Sequence, residues 1–260
     1  MMVPSLFIAH GSPMVAIEQS EYGTFLDRLG RTLPRPKAVV LFSAHWESAV
    51  QQVSEVSTYS TIYDFGGFPD ALYRVTYSAK GAPDLSLRVQ DLLRRRGIEA
   101  RGERQRGLDH GAWTLLKRLY PHADIPVVEM SVNAHLSPAE QFRIGETLAP
   151  LRAEDVLVIG SGVTVHNFQL LGANASPAVQ AAVREFEEWL VKTLEAWDVP
   201  ALFDYERQAP HAHLAVPPAG REHIAPLFYA MGAADSPDAV TVLHQSWMWN
   251  VMANSVYQFL

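Results

Sequence analysis

The chain contains no cysteine among its 260 residues. This absence excludes disulfide bonds, thiolate metal sites, iron–sulfur clusters and cysteine nucleophiles together. Any metal ion must therefore be bound by histidine, aspartate or glutamate side chains. The 10 histidines of the sequence become the first candidates, because imidazole is the most common side-chain metal ligand and a frequent general base near neutral pH.

Positive charge is scarce as well. The sequence holds 21 Lys and Arg residues against 28 Asp and Glu residues, which gives a formal net charge of -7. Proteins that bind nucleic acids normally present a basic face. We therefore expect no nucleic-acid partner and no adsorption to anionic membrane surfaces.

Long apolar runs are also missing, and because the longest are only of strand length we expect no transmembrane segment. The first residues, Met1 to Pro4, lack the basic stretch of a signal peptide, so we interpret them as leading into the first core strand. The sequence has no P-loop and none of the motifs Gly-x-Gly-x-x-Gly, Gly-x-Ser-x-Gly and His-Glu-x-x-His. A cytoplasmic enzyme of bacterial type is the expectation that remains.

What the sequence does contain is an alternation of apolar strands and amphipathic helices. The predicted strands are Ser5–Ala9, Ala38–Ala44, Gln52–Thr58, Ile125–Met130, Val156–Ser161, Val240–Leu243 and Val256–Phe259. The predicted helices are Glu21–Thr32, Pro83–Arg96, Trp113–Leu119, Pro177–Ala196 and Arg221–Met231, with one more starting at the capping box of Ser137. The alternating segment Gln52–Thr58 suits an edge strand, and Leu87 is expected to face inward from its helix. Tyr63–Tyr73 reads as a loop.

This alternation predicts an α/β fold, with a central mixed and largely parallel sheet flanked by helices on both faces. Nearly half of the residues, 48%, are hydrophobic, which is enough for a sizeable core. No Gly/Ser linker, charge block or repeat divides the chain, so we predict a single domain over residues 1–260.

Three of the strands each deliver a histidine at or just beyond their carboxyl end. His10 follows the first strand, His45 follows Ala38–Ala44, and His166 follows Gly160-Ser161-Gly162. Ligands bind at this edge in open α/β sheets. Two imidazoles at adjacent strand ends can reach one metal ion. The alternatives are a turn histidine for His10, a core histidine for His45, and a helix-start residue for His166, which otherwise serves as a third ligand or a free base.

Two further histidines lie at predicted helix starts. His110 follows Asp109 and either shapes a turn or contacts a bound ligand. His223 follows Glu222, and because neighbours on a helix point about 100° apart, only one of the two is expected to face a metal. His135 follows a strand at a greater distance and is not expected to belong to the site. His122, His211, His213 and His244 are expected to be loop or surface residues, although His211 and His213 lie in a loop that could cover a site.

Six segments resemble, in order, those of the class III extradiol ring-cleaving dioxygenases, and within them the DOPA 4,5-dioxygenase-like branch. They are His10-Gly11-Ser12-Pro13, Ser43-Ala44-His45-Trp46-Glu47, the stretch from Tyr63 to Pro69, the stretch from Leu108 to Trp113, the stretch from Ala123 to Val128, and Ile159-Gly160-Ser161-Gly162 with Val165-His166-Asn167. The resemblance covers most of the chain. It implies one catalytic domain with a central sheet between helices.

The resemblance also implies roles for the histidines. His10, His45 and His223 match metal ligands, while His166 matches an active-site histidine that acts as a base or as a fourth ligand of zinc. His110 matches a histidine that contacts substrate or dioxygen. The implied cofactor is one divalent metal, Fe(II) for activity with zinc possible in the isolated protein. The implied partners are a small catechol and dioxygen, and the expected assembly is a monomer or a small homo-oligomer.

The sequence departs from the family pattern in two ways. More distant relatives use a glutamate as the third ligand where this chain has His223, which keeps Glu222 as an alternative ligand. The usual His-Pro-Thr-Pro stretch before that ligand is replaced by the segment from His213 to Glu222. Two rival functions stay open: a zinc-dependent hydrolase on a related scaffold, and a non-catalytic binding module. Tyr63, Phe65, Phe68 and Trp46 are candidates to wall a substrate ring.

Overall fold

The computed structural model describes residues 3–234 and 240–260. Its strands are β1 (Ser5–Ala9), β2 (Ala38–Glu47), β3 (Gln51–Ser54), β4 (Ala100–Glu103), β5 (Val127–Val132), β6 (Val156–Gly162), β7 (Val240–Met248) and β8 (Met252–Phe259). Its α-helices are α1 (Glu21–Thr32), α2 (Pro83–Arg95), α3 (His110–Leu119), α4 (Pro138–Leu148), α5 (Pro177–Glu195), α6 (Val199–Phe203), α7 (Tyr205–Gln208), α8 (Ala212–Ala215) and α9 (Arg221–Gly232). Within these residues no helix is both long enough and apolar enough to span a membrane.

One sheet of eight strands runs through the molecule in the order β4-β3-β5-β2-β6-β1-β8-β7. Its centre is parallel, since β2 pairs with β5 and β6, and β6 pairs with β1, all in parallel. Strand β8 joins β1 in antiparallel orientation and forms a hairpin with β7. The predicted α/β fold with a mixed, largely parallel sheet is confirmed.

Helices cover both faces of this sheet, because successive side chains of a strand point to opposite sides. On one face, Leu6 and Ile8 of β1 pack in a cluster with Trp113 of α3. On the other face, Phe42 of β2 stacks on Tyr229 of α9, with ring centroids 4.4 Å apart. A third cluster packs α5 and α9 against β1 and β8. The carboxyl ends of the parallel strands are left open at one edge.

Two local predictions are wrong. The segment expected to be an edge strand is β3, which lies between β4 and β5. Strand β4 was not predicted because its sequence Ala-Arg-Gly-Glu has no apolar alternation. Leu87 is 59% exposed, since it lies two residues from Leu85 and Val89 and therefore on the far side of α2. The capping box of Ser137 and Glu140 is confirmed, with both reciprocal hydrogen bonds present.

Helix α9 packs directly on the backbone of β6, and two glycines allow this approach. A Cβ atom at Gly160 would lie 2.1 Å from the carbonyl oxygen of Pro226, and one at Gly162 would lie 2.1 Å from that of His223. The N–H group of Val163 donates to the same His223 oxygen at 2.8 Å. The first turn of α9 is therefore fixed against the carboxyl end of β6.

We expect Gly162→Ala to lower the free energy of unfolding by about 1–3 kcal/mol, because the added methyl group must push α9 away from β6. Urea unfolding followed by circular dichroism measures the change. Gly66→Ala is the matched control, since a Cβ atom there meets nothing within 4 Å. Equal unfolding free energies for the two variants would contradict this account of the packing.

Candidate metal centre

The strand ends bring three of the predicted histidines to one edge of the sheet. His10 directly follows β1, and its N–H group donates to the carbonyl oxygen of Gly162 at 3.1 Å. His45 lies within β2, which continues to Glu47 after a register irregularity. His166 follows β6 by four residues, and its N–H group donates to Ala215 at 2.9 Å.

The other two histidines arrive from helices. His110 is the first residue of α3, whose N-cap Asp109 accepts a hydrogen bond from the N–H group of Ala112. His223 lies in the first turn of α9, which the contact with β6 holds in place. All five histidines line a single cavity of about 430 Å³. The sheet edge and two helix starts thus assemble residues from both ends of the chain.

The distances among these imidazoles suit one metal ion. His10 Nε2 and His45 Nε2 are 3.1 Å apart, and two nitrogens at the usual bond length from one ion are separated by roughly 2.9–3.4 Å. The ring centroid of His223 lies 5.3 Å from that of His10 and 5.0 Å from that of His45. The potential ligand atoms form two groups, each within 4.8 Å: His10, His45 and His110 in one, and His166, Glu222 and His223 in the other.

The other ring nitrogen of three of these histidines faces an acceptor. His10 Nδ1 lies 3.2 Å from Ser161 Oγ, whose own proton goes to the carbonyl oxygen of Gly111 at 2.6 Å, so Nδ1 must be the donor. His223 Nδ1 lies 2.7 Å from Glu222 Oε1. His45 Nδ1 lies 3.5 Å from Asp64 Oδ2. The contacts of His10 and His223 favour the tautomer with a free Nε2 lone pair, which is the usual arrangement for metal-binding histidines. The longer contact of His45 lies at ion-pair distance but lacks the geometry of a hydrogen bond.

His223 Nε2 supplies a direct test of whether a metal fits. This atom is buried and has no hydrogen-bond partner among the described residues. A buried polar atom without a partner is costly by about 1–3 kcal/mol, and a metal ion is the partner that this nitrogen can take. Glu222 Oε1 faces Nδ1 of His223 and can orient its ring, and the residues present fit a divalent metal.

Burial keeps these imidazoles neutral. The pKa values of His10 and His223 are well below the usual range, first because of burial and then because of the neighbouring histidines. Burial, followed by the charge of His110, lowers the pKa of His45 to about 4. Neutral imidazole is the form that binds metals.

His110 and His166 are placed differently from the other three. His110 Nδ1 lies 3.0 Å from Asp64 Oδ1, at ion-pair distance but without the alignment of a hydrogen bond. Burial opposes a charge on Asp64, yet the contacts with His110 prevail and lower the pKa of Asp64 to about 2. The ring of His166 stacks on that of His223, with centroids 3.5 Å and planes 7° apart. No described side chain accepts from the ring of His166, which distinguishes it from His10, His45 and His223.

A buried polar network supports the site from below. Asp109 accepts from Ser43 Oγ at 2.6 Å and from Arg106 at 2.9 Å, and the same Arg106 group donates to the carbonyl oxygen of His45 at 3.1 Å. This network ties β2 to the start of α3, and so fixes His45 relative to His110. Glu129 lies beside it, fully buried, and burial together with Asp109 raises its pKa well above the usual range.

Aromatic residues and methionines form the wall and mouth of the cavity: Phe65, Phe68, Phe168, Met248, Trp249 and Met252. Phe65 and Phe68 were predicted to do so. Trp46 and Tyr63, the other two candidates, do not line it: Trp46 carries the guanidinium of Arg106 4.8 Å above its ring, and Tyr63 packs against the core. The β7–β8 hairpin was not expected at the site, since nothing in its sequence marks which strand it joins.

The remaining histidines lie elsewhere. His135 lines a separate cavity beside α4 and α9. His211 pairs with Glu185 and neither it nor His213 covers the site. His244 was expected in a loop or at the surface, but it lies half-buried in β7 with its ring 4.5 Å from that of Phe25. The residues that sequence reasoning missed are the acceptors, Asp64 and Ser161, which lie inside segments matched to the family but carry no motif of their own.

Comparison with known proteins agrees with this geometry. A family model described as the catalytic LigB subunit of aromatic ring-opening dioxygenase matches residues 4–260. The chain belongs to this family. LigB-family enzymes are metal-dependent, and the histidine cluster is compatible with metal binding.

Relatives within the LigB family cover nearly the whole chain. A protein of Beta vulgaris named 4,5-DOPA dioxygenase extradiol is 40% identical over 98% of this chain and 96% of its own. A protein of the same name from Escherichia coli (strain K12) is 37% identical over 92% of this chain and 88% of its own. The crystal structure of an uncharacterized protein from Escherichia coli K12 has a TM-score of 0.82 and 30% identity, and covers 99% of this chain and 100% of that one.

These comparisons confirm the predicted class of enzyme. The protein is an oxidoreductase, a ring-cleaving extradiol dioxygenase whose family acts on catecholic substrates with dioxygen. They favour this function over the hydrolase and the binding module that the sequence left open.

Proposed function

We propose that this protein uses Fe(II), bound by His10, His45 and His223, to open the ring of a catechol beside its two hydroxyl groups and yield a muconic semialdehyde. The catechol is DOPA or a related compound such as caffeate or protocatechuate. One observation carries the proposal: the imidazoles of His10, His45 and His223 converge in one cavity, and buried His10 and His223 have partners at Nδ1 that leave Nε2 available to a metal. Iron is chosen over zinc because zinc has no redox chemistry, which dioxygen requires.

A bound metal would acidify the catechol hydroxyls and mediate electron transfer to dioxygen. The residues of the chain supply the rest. His166 accepts the second hydroxyl proton: burial first, and then His45 and His110, lower its pKa to about 4, so the ring is neutral at pH 7 and has a lone pair for the proton. His110 donates a hydrogen bond to dioxygen as the dioxygen gains negative charge.

The apolar cavity walls strengthen the electrostatic contacts that this proton transfer uses. Phe65 and Phe68 close one side of the cavity, and excluding water strengthens every electrostatic contact inside it. Both atoms of dioxygen end in the ring-opened product, so the reaction needs no external reductant. Unlike His10 and His223, His166 has no hydrogen-bond partner at Nδ1 or Nε2 among the described residues.

The test is aerobic incubation of the Fe(II)-reconstituted protein with DOPA, caffeate and protocatechuate. We expect oxygen uptake together with a yellow semialdehyde for at least one of them. The zinc-loaded protein is the matched control and should show neither signal. If no catechol consumes oxygen while the iron content is one per chain, the proposed function is wrong.

A further inference from the structure

The cavity at the metal centre is acidic rather than basic. Asp64 and Glu222 both line it, whereas no Lys or Arg does so among the described residues. The catechol hydroxyls bind the proposed metal ion. A substrate side chain otherwise meets carboxylates and imidazoles of the described lining, with no guanidinium or ammonium to receive a carboxylate.

The arginines nearest to the site are already engaged. Arg106 donates to Asp109 and to the carbonyl oxygen of His45 from below. Arg221 forms a two-point contact with Glu206, with distances of 2.7 Å and 2.9 Å between nitrogen and oxygen. Turning either one into the cavity would break these pairs. The acidic character of the cavity is thus held in place by its surroundings.

The mouth of the cavity is aromatic and unusually open to solvent. Phe168 is 62% exposed and Trp249 is 51% exposed, and both line the cavity beside Met248. An aromatic face attracts a cation within about 6 Å of its centroid. The same aromatic face offers a carboxylate neither a hydrogen-bond donor nor a positive charge. Burying a charge without a partner is strongly unfavourable.

Trp249 lies at a strained turn. Trp249 and its neighbour Asn250 form the tip of the β7–β8 hairpin with φ angles of 51° and 62°. The loop between β7 and β8 has three residues, Trp249 to Val251, since Met248 pairs with Met252. A bulky residue at positive φ is strained by roughly 1–2 kcal/mol, and strain of this kind is concentrated at functional sites. Here it occurs at the entrance of the cavity.

We propose that the site selects catechols by the charge of their side chain, and that it takes amine-bearing catechols in preference to carboxylate-bearing ones. The inference rests on the proposed function, which places the catechol hydroxyls at the histidines and the side chain at the aromatic mouth. DOPA fits this rule because its own ammonium group balances its carboxylate. Caffeate and protocatechuate, which carry only a carboxylate, are the poorer substrates.

The test compares three catechols of similar size: dopamine with a cation, ethylcatechol without charge, and dihydrocaffeate with an anion. Dissociation constants are measured with the zinc-loaded protein by quenching of tryptophan fluorescence, so that binding is read without turnover. We expect dopamine to bind at least as tightly as ethylcatechol, and dihydrocaffeate to bind severalfold more weakly, because its carboxylate approaches Asp64 and Glu222 and meets no positively charged side chain of the lining. The differences should shrink in high salt. The ratios of kcat/KM with iron should follow the same order.

A charge variant makes the test specific. Trp249→Arg should strengthen binding of dihydrocaffeate and weaken that of dopamine, whereas Trp249→Gln, which removes the ring without adding charge, should weaken dopamine alone. Met248→Lys repeats the first change if Trp249→Arg fails to fold. Binding of dihydrocaffeate as tight as that of dopamine overturns the inference while leaving the dioxygenase proposal intact. If the iron-loaded protein neither binds nor cleaves any catechol, both fall.

Discussion

His223→Ala is expected to abolish both metal retention and ring cleavage. The substitution removes an imidazole whose Nε2 is buried and has no hydrogen-bond partner among the described residues. Of the proposed ligands it leaves only His10 and His45, whose Nε2 atoms lie 3.1 Å apart. Two nitrogens hold a divalent metal far more weakly than three. Metal content after dialysis, measured by mass spectrometry, gives the result directly, and oxygen uptake should fall to background.

Two further variants separate ligand loss from general damage. Glu222→Gln keeps His223 but weakens the acceptor at its Nδ1, and we expect metal affinity to fall by roughly 10- to 100-fold. His135→Ala is remote from the centre and should retain both metal and activity. Full metal retention by His223→Ala, with a normal circular dichroism spectrum, would remove His223 from the ligand set.

His166→Ala is expected to keep its metal and lose turnover. Proton transfer by a positioned base contributes roughly 100- to 10,000-fold to a rate, and His166 is the cavity histidine without a side-chain acceptor fixing its ring among the described residues. We therefore expect kcat to fall within this range while the metal content stays near one per chain. The pH dependence of kcat should lose its acidic limb, because the group that must be deprotonated to accept the proton has gone.

The comparison with His223→Ala decides between the two roles of His166. The stacking of its ring on that of His223 means that a small loss of metal affinity is compatible with a base. Loss of metal as complete as in His223→Ala would instead make His166 a fourth ligand. Anaerobic binding of ethylcatechol by the zinc-loaded variant shows that the cavity itself has survived.

The strand ends of this site could be predicted from the sequence because each is marked by a few consecutive residues. A buried strand followed by a histidine is visible at His10, and the same holds, less closely, for His166. His45 was predicted to follow directly after the strand Ala38–Ala44, but β2 continues past it to Glu47. Strand ends depend on pairing that local sequence does not show. The edge at which the histidines meet follows from the parallel order of the strands.

The parts that could not be predicted depend on contacts between distant segments. Asp64 lies in a loop, and its contacts with His45 and His110 form only when the fold brings that loop to the site. In the sequence, Ser161 is only a small residue between two glycines. Its role in setting the His10 tautomer depends on the hydrogen bond that its hydroxyl donates to the carbonyl oxygen of Gly111, which lies far away in the sequence. Trp249 was part of no pattern, because its position at the mouth follows from the pairing of β8 with β1.

The placement of the three proposed ligands along the chain would couple metal binding to folding as a whole. His10 comes from the first strand and His223 from the last helix, so closing the site requires ordering almost every segment in between. No fragment of the chain can hold the ion with the same three nitrogens. Metal at about one hundred times its dissociation constant would stabilise the native state by about 2.7 kcal/mol. The melting temperature of the entire chain would therefore report how much of the metal site is occupied.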